Sequence, residues 1–380
     1  MGWHPTLGTR IERAPRHLLR LIQSQVRLGE PLPWGVRDQQ GKLLLARGQV
    51  IANEAQLAAL LERGASVDIE EVRAAASRSE AEAKGPASLF AQWEQVLWQL
   101  DRVLRSVGGE PGFGQRVNEL VQRIEALTLR DPDIAIYLTV RQDPKRLTIY
   151  ALAHSVHGAM VSLLMARRLG WDAALTHTLM KAALTMNIAI LDLQGRMAAQ
   201  GVPATPPQMD MIRLHPTQGV EMLKAAGIDD AAWLDTIAHH HERPDGTGYP
   251  AGLHEAGELT TVLRYIDVFL AKMAPRALRA PLSAQLAARQ LFQESGGAPA
   301  AAAIIKEFGI YPPGEFVQLK SGEMAVVVRR GANASTPLAA AITDRHGMPN
   351  VNTVVRDTSK AEFAITALAA MPGRPHVWAV

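Results

Sequence analysis

HHHERPDGTGYP, residues 239–250, sets three histidines and a glutamate against two glycines, a tyrosine and a proline. Neighbouring imidazoles reach one point only where the backbone bends between them. His240 and His241 stand just before Asp245–Gly246 and Thr247–Gly248, both strong turn signals. A helix that ends here and breaks into a turn would aim both rings at one metal site. The other reading is a solvated, histidine-rich helix end favoured by the helix dipole. The stretch alone leaves both open. His239, elsewhere on the helix surface, reads as structural.

Outward from this stretch, eight of the twelve histidines fall between 154 and 254, where an even scatter would leave about three. That region is helical in pattern, and a bundle can direct such side chains inward to one point. The chain has no cysteine, so thiolate ligands and disulfides are ruled out and a metal must sit on His, Asp and Glu. Taken singly, His154 and His215 (in IRLHPTQGVEML, 212–223) read as ordinary loop, cap or core histidines. Asp267 lies inside the apolar run LRYIDVFLAKM (263–273). A buried carboxylate there needs a donor network or a cation, and both stay open.

Together these segments resemble the HD-GYP family of metal-dependent phosphodiesterases. HHERPDGTGYP (240–250) follows the family's HHE-x-x-DGxGYP signature, which is long and specific. His154 in YALAHSVHGAM resembles the first metal histidine, and HPTQGVEML (215–223) the family's following histidine segment. LRYIDVFLAKMAPRALR (263–279) resembles the helix with the aspartate ligand and the two phosphate-contacting basic residues. The resemblance covers roughly residues 145–330. It implies His154, His215, His240, His241 and Asp267 as metal ligands, with Gly248, Tyr249, Arg276 and Arg279 at the substrate. It also implies a bacterial signal-transduction protein acting on cyclic di-GMP, with iron or manganese as the divalent metal.

One departure changes the expectation. The family's name comes from a His-Asp dipeptide, usually within LLHDIGK. The corresponding segment is ALTMNIAI (183–190), with Met186 and Asn187 in the two positions and Ala189 and Ile190 in place of Gly-Lys. Asn187 offers a neutral carbonyl oxygen where a bridging carboxylate is expected. Met186 offers a soft thioether, a poor partner for iron or manganese. Asp192 lies on another helix face and does not substitute; Met186 and Ile190 read as packing residues. Five remaining ligands suffice for one ion, since three or four protein ligands hold a metal. They suit two ions clamped ~3.5–4 Å apart poorly.

The resulting expectation is a degenerate, catalytically impaired protein of cyclic di-GMP signalling, acting by nucleotide binding or by docking a protein partner through the Gly248–Tyr249 loop. The alternatives are an active phosphodiesterase yielding pGpG or GMP, and an inactive scaffold without metal.

The rest of the chain frames this core. Hydrophobic residues at 47% and charged residues at 20% fit a globular protein, and a net charge of +3 does not mark a nucleic-acid binder. The expected fold class is mainly α: an HD-domain-like helical bundle with a small N-terminal α+β module and a β-rich C-terminal extension. The expected divisions are a module at 1–72, a small-residue linker at 73–88, the helical domain at 89–310 and the extension at 311–380. In the first, PLPWGVRDQQGKLLLARGQVI (31–51) reads as two strands about a turn at Asp38–Gly41, with Asn53 as a helix N-cap and Gly64 just past that helix. Helices are expected over 89–107, 154–170 and about 172–191. The start, MGWHPTLGTRIER, has no signal-peptide core and matches only a loose Gly2–Thr6 acylation pattern. Uninterrupted apolar runs such as AMVSLLMA (159–166) fall short of the ~20 residues a membrane crossing needs, so a cytoplasmic protein with no membrane span is expected.

Overall fold

The computed structural model describes residues 16–19, 26, 30–63, 65–68, 71–72, 88–142 and 147–370. The Gly2–Thr6 pattern, Gly64 and nearly all of the 73–88 linker lie outside them. Two compact units are distinguished, Met1–Ser88 and Leu89–Val380.

In the first unit, Asn53 caps helix α1 (Glu54–Glu62) by accepting a hydrogen bond from the Gln56 amide. Gly41, at φ 94°, closes the turn between β2 (Val36–Arg37) and β3 (Leu43–Leu45), where glycine has no steric cost. With β1 (Arg16–Leu18) and β4 (Ser66–Asp68) these strands form an antiparallel sheet in the order β1-β4-β2-β3. Trp34, Val36, Ile51 and Val67 are buried in its core.

The second unit is helical for most of its length. Helices α2 (Leu89–Arg105), α3 (Phe113–Arg130) and α4 (Pro132–Val140) lead into α5 (Tyr150–Leu169). Nearly every residue of α5 from Tyr150 to Ala166 is buried, as befits a helix apolar on all sides. It is the axis of the bundle, and His154 lies on it. Next come α6 (Ala173–Thr185), α7 (Leu191–Ala199), α8 (Pro206–Ala225), α9 (Ala231–His239), α10 (Glu258–Met273), α11 (Ala284–Glu294) and α12 (Pro299–Phe308). The single helix expected over 172–191 is in fact broken. It stops at Thr185, and a 3-10 turn at Ile188–Ile190 follows. The break falls at Met186 and Asn187, which periodicity cannot register because all these residues remain buried through the change of direction.

Ala173–Ala199 has the length and mean hydropathy that a membrane crossing requires, and 61% of its most apolar window is buried inside the protein. The expectation of no such segment rested on uninterrupted runs, which scattered Thr, His and Lys residues interrupt without lowering the average enough. Here the segment is two helices and a turn packed into the bundle core.

The last described elements form an antiparallel sheet of order β8-β7-β6-β5-β9, made of β5 (Phe316–Leu319), β6 (Met324–Arg329), β7 (Leu338–Thr343), β8 (Pro349–Asp357) and β9 (Ile365–Leu368). Both its faces carry buried residues: Val317, Ala325 and Val327 on one side, Phe316, Val326 and Ile342 on the other. The fold is mainly α with a small sheet near each end, the class expected from the sequence.

Candidate metal and nucleotide site

The site is assembled from helix ends and one helix interruption. Pro216 stands inside α8. A proline has no N–H, so the carbonyl four residues earlier, that of Ile212, loses its helical partner. The His215 Nδ1–H takes that carbonyl at 2.6 Å. His240 caps the C-terminus of α9, where the last carbonyls are also unpaired. Its Nδ1–H donates to Ile237 O at 2.7 Å. The same device thus acts twice. An imidazole Nδ1 binds a freed helix carbonyl, the tautomer is fixed, and Nε2 is left with its lone pair.

These two Nε2 atoms face each other at 3.1 Å. Burial pushes the His215 imidazole down to about 3, with His240 adding to the effect. Burial likewise lowers His240. At neutral pH both rings are therefore neutral, and two lone pairs point into one buried gap. Only a proton or a cation relieves that arrangement. Two nitrogens held about 2.1 Å from one ion at roughly a right angle lie this far apart. His241 completes the group: ligand atoms of His215, His240 and His241 all lie within 4.8 Å of one another. Burial holds His241 well below its ordinary pKa as well. The donor set is nitrogen-rich and largely buried, with His241 at its half-buried edge, and it fits a divalent transition metal.

His154 and Asp267 are placed beside this group as a pair of their own. His154 Nε2–H donates to Asp267 Oδ1 at 2.7 Å. Burial works to raise the Asp267 pKa, but the His154 hydrogen bond and the neighbouring His241 and His240 hold the carboxyl well below its usual range. Asp267 is thus ionised and within electrostatic reach of the three histidines.

Met186 and Asn187 sit at the break between α6 and the 3-10 turn. Met186 is fully buried in the bundle core. Asn187 is 4% exposed, and among the described residues its side chain makes no hydrogen bond. The break lies against α8, whose Gly219 brings the two backbones close: a Cβ there would stand 3.9 Å from Met186 O. Asp192 points away and pairs with Arg105 at 2.9 Å, as its helix position implies.

The 242–253 segment shapes the mouth of the site. The Glu242 carboxylate, 1% exposed, accepts three backbone hydrogen bonds, from Ala251, Gly252 and Leu253. Gly248 passes so close to Glu242 that a Cβ would meet its Cα at 2.5 Å, so no other residue fits without moving the backbone. Tyr249 then lies over His241, ring centres 4.6 Å apart, and Tyr249–Pro250 is cis. His239 pairs with Asp235 at 3.0 Å, a structural role.

Of the two predicted phosphate contacts, Arg276 is exposed and donates to the Tyr150 hydroxyl at 2.8 Å. Arg279 donates to Ala271 O at 2.6 Å, closing the end of α10. Tyr150 is a site residue that the sequence reading missed. It lies one helical turn before His154 and stacks on it, ring centres 5.6 Å apart. The i, i+4 spacing was its only signal.

Residues 145–297 match the family model for the HD domain. Over 225 residues, 58% of the chain, the sequence is 31% identical to cyclic di-GMP phosphodiesterase PA4108 of Pseudomonas aeruginosa, and the match spans 54% of that protein. Over 110 residues it is 26% identical to cyclic di-GMP phosphodiesterase PdeB of Borreliella burgdorferi, 29% of either chain. The chain thus matches about half the length of the first relative and less of the second. Among solved structures, Bd1817, an HDG"Y"P protein from Bdellovibrio bacteriovorus, aligns with a TM-score of 0.48 at 15% identity, over 77% of this chain and 98% of that one. The match to the HD domain over residues 145–297 falls within the segment whose resemblance was read from the sequence.

Proposed function

We propose that this is a protein of cyclic di-GMP signalling that holds one divalent ion, iron or manganese, and binds the nucleotide, but hydrolyses it poorly or not at all. The observation that carries the proposal is the divided condition of the site. Two buried histidines face each other with free lone pairs and a third, half-buried, joins them, while the expected His-Asp positions hold a core-packed methionine and a neutral asparagine.

His215, His240 and His241 would hold the ion, which when bound supplies positive charge for a phosphate. The chain's own groups do the rest. Arg276, steadied by the Tyr150 hydroxyl, offers a fixed cation to a phosphodiester. The Asp267 carboxylate keeps the proton on His154 Nε2. Tyr249 covers His241 and limits water at the cluster. Asn187 cannot supply the negative bridge that a second ion needs. Docking of a protein partner through the exposed Asp245–Pro250 turn belongs to the same proposal.

The test combines metal analysis, calorimetric binding of cyclic di-GMP and product chromatography on the Mn²⁺-supplied protein. We expect about one ion per chain, lost in His240→Ala, saturable nucleotide binding weakened in Arg276→Ala, and little pGpG or GMP. Met186→His with Asn187→Asp should raise both metal content and turnover. Rapid hydrolysis by the unmodified protein would establish the active-enzyme reading instead. Absence of both metal and nucleotide binding would leave the scaffold.

A further inference from the structure

Tyr150 also borders a cavity that includes none of the three clustered histidines. It has a volume of about 280 Å³ and is walled by α2, α4 and α5. Trp93, Leu97, Leu138, Ile149, Val156 and Met160 make the wall mainly aliphatic and aromatic. None of these residues belongs to the histidine cluster.

His157 also lines this cavity, one turn along α5 from His154. It is 8% exposed, its Nδ1 is buried with no partner, and neither ring nitrogen makes a hydrogen bond among the described residues. The indole N–H of Trp93, in the same wall, is likewise buried without an acceptor. Buried polar atoms are rarely left unpaired. His157 Nδ1 and the Trp93 N–H are sealed off even from the cavity, whereas His157 Nε2 is not among the sealed atoms and makes no hydrogen bond among the described residues, so it is the ring atom open to a ligand.

The chemistry of the wall narrows what that is. Glu94 and Arg141 both line the cavity, and their opposite charges give no net preference for an ion. An apolar wall penalises a charged ligand further. The volume lies just below the usual range of small-molecule sites, about 300–1,000 Å³, which suits one or two fused rings. A neutral imidazole presents one donor and one acceptor, so it pairs with a ring that carries an N–H or O–H edge.

We propose that the cavity between α2, α4 and α5 is a binding site for a small, uncharged, planar aromatic molecule whose polar edge meets His157. The site is separate from the metal cluster, and its location makes it an effector site. Its occupant touches Tyr150, whose ring stacks on His154 and whose hydroxyl receives Arg276. The inference does not depend on the nucleotide proposal.

The experiment is a fluorine NMR titration of the full chain with 5-fluoroindole. The expected result is saturable line broadening at one site per chain. His157→Leu should weaken binding about tenfold, the loss of one buried hydrogen bond, and should raise the melting temperature because it removes the unpaired nitrogens. Leu97→Trp, which fills the cavity from a half-buried position, should abolish binding with the helical circular dichroism retained. No saturable broadening up to millimolar probe would overturn the proposal. So would wild-type binding that survives Leu97→Trp, which would place the probe elsewhere. Binding lost in Leu97→Trp but unchanged in His157→Leu would overturn the assignment of His157.

Discussion

At the scale of single residues, the site depends on which histidine nitrogen carries the proton. For His215 that choice follows from Pro216, which frees the Ile212 carbonyl for Nδ1–H. The His-Pro pair was legible in the sequence as a motif, but its reason was not, since the reason is a missing backbone donor. His157 shows the opposite case, an imidazole with nothing to fix it. Burial pushes it down to about 3, and His154 adds to the shift. The sign follows directly. Between that value and the unfolded histidine's pKa of ~6.5, the unfolded chain carries a proton that the folded chain does not. Stability is therefore fully present above pH ~6.5 and falls with pH below it, by about 1.4 kcal/mol per pH unit for this one group. Urea denaturation midpoints of the metal-free protein between pH 7 and 4 should fall, and His157→Leu should remove about one proton's worth of the slope. The remainder belongs to His215, His240 and His241, which burial also lowers. An unchanged slope in the variant would mean that His157 takes its proton without unfolding.

At the scale of elements, the turn after α9 converts a histidine pair into a site. Its glycines were readable as turn signals. Gly246 takes φ 74°, while Gly248 is needed for space rather than for its dihedral. Glu242 was read only as part of a motif. Its role, an acceptor for three successive amides at 251–253, depends on the loop returning nine to eleven residues later, which no local pattern announces. Glu242→Ala leaves those amides without their charged acceptor. Hydrogen bonds to charged groups contribute about 1.5–3 kcal/mol each, but solvent recovers part of that at an exposed loop. We expect a net destabilisation of about 2–4 kcal/mol, with Glu242→Gln milder. Hydrogen exchange supplies the local measurement. The amides of Ala251, Gly252 and Leu253 should lose protection together in Glu242→Ala while those of α5 keep theirs. Continued protection at 251–253 would show that the loop is held by its backbone turns alone. The break of α6 at Met186 was the least legible element. It continues at Asn187, the N-cap of the 3-10 turn, where the backbone lies against Gly219 of α8; one asparagine in a run of helix formers is a weak stop signal.

At the scale of the molecule, the helical core and the terminal sheet were both visible in the pattern of residues, one with helical periodicity and one rich in β-branched side chains. What joins them was not, because it couples charges nearly two hundred residues apart. Arg330, just past β6, reaches Asp133 of α4 at 2.5 Å and Glu307 of α12 at 2.7 Å. The two carboxylates are only 14% and 10% exposed. Arg168 of α5 also holds Glu307, at 2.6 Å, so Asp133 depends on Arg330 more than Glu307 does. Removing one partner of a buried pair strands a desolvated charge, at a cost of about 3–5 kcal/mol. Arg330→Met should therefore destabilise the Leu89–Val380 unit by about 3 kcal/mol. The neighbouring Arg329 gives the internal control. It reaches Asp131 at 3.0 Å and Asp133 more loosely at 4.0 Å with its own side chain 57% exposed; Asp131 keeps the amides of Asp133 and Ile134 as donors without it, and pairs with so exposed a cation contribute at most about 1 kcal/mol. Arg329→Met should shift the denaturation midpoint only slightly. A small effect from both variants would mean that the sheet is docked by its apolar faces alone. A large effect confined to Arg330 would identify one cation, held between α4 and α12, as what fixes the sheet to the bundle.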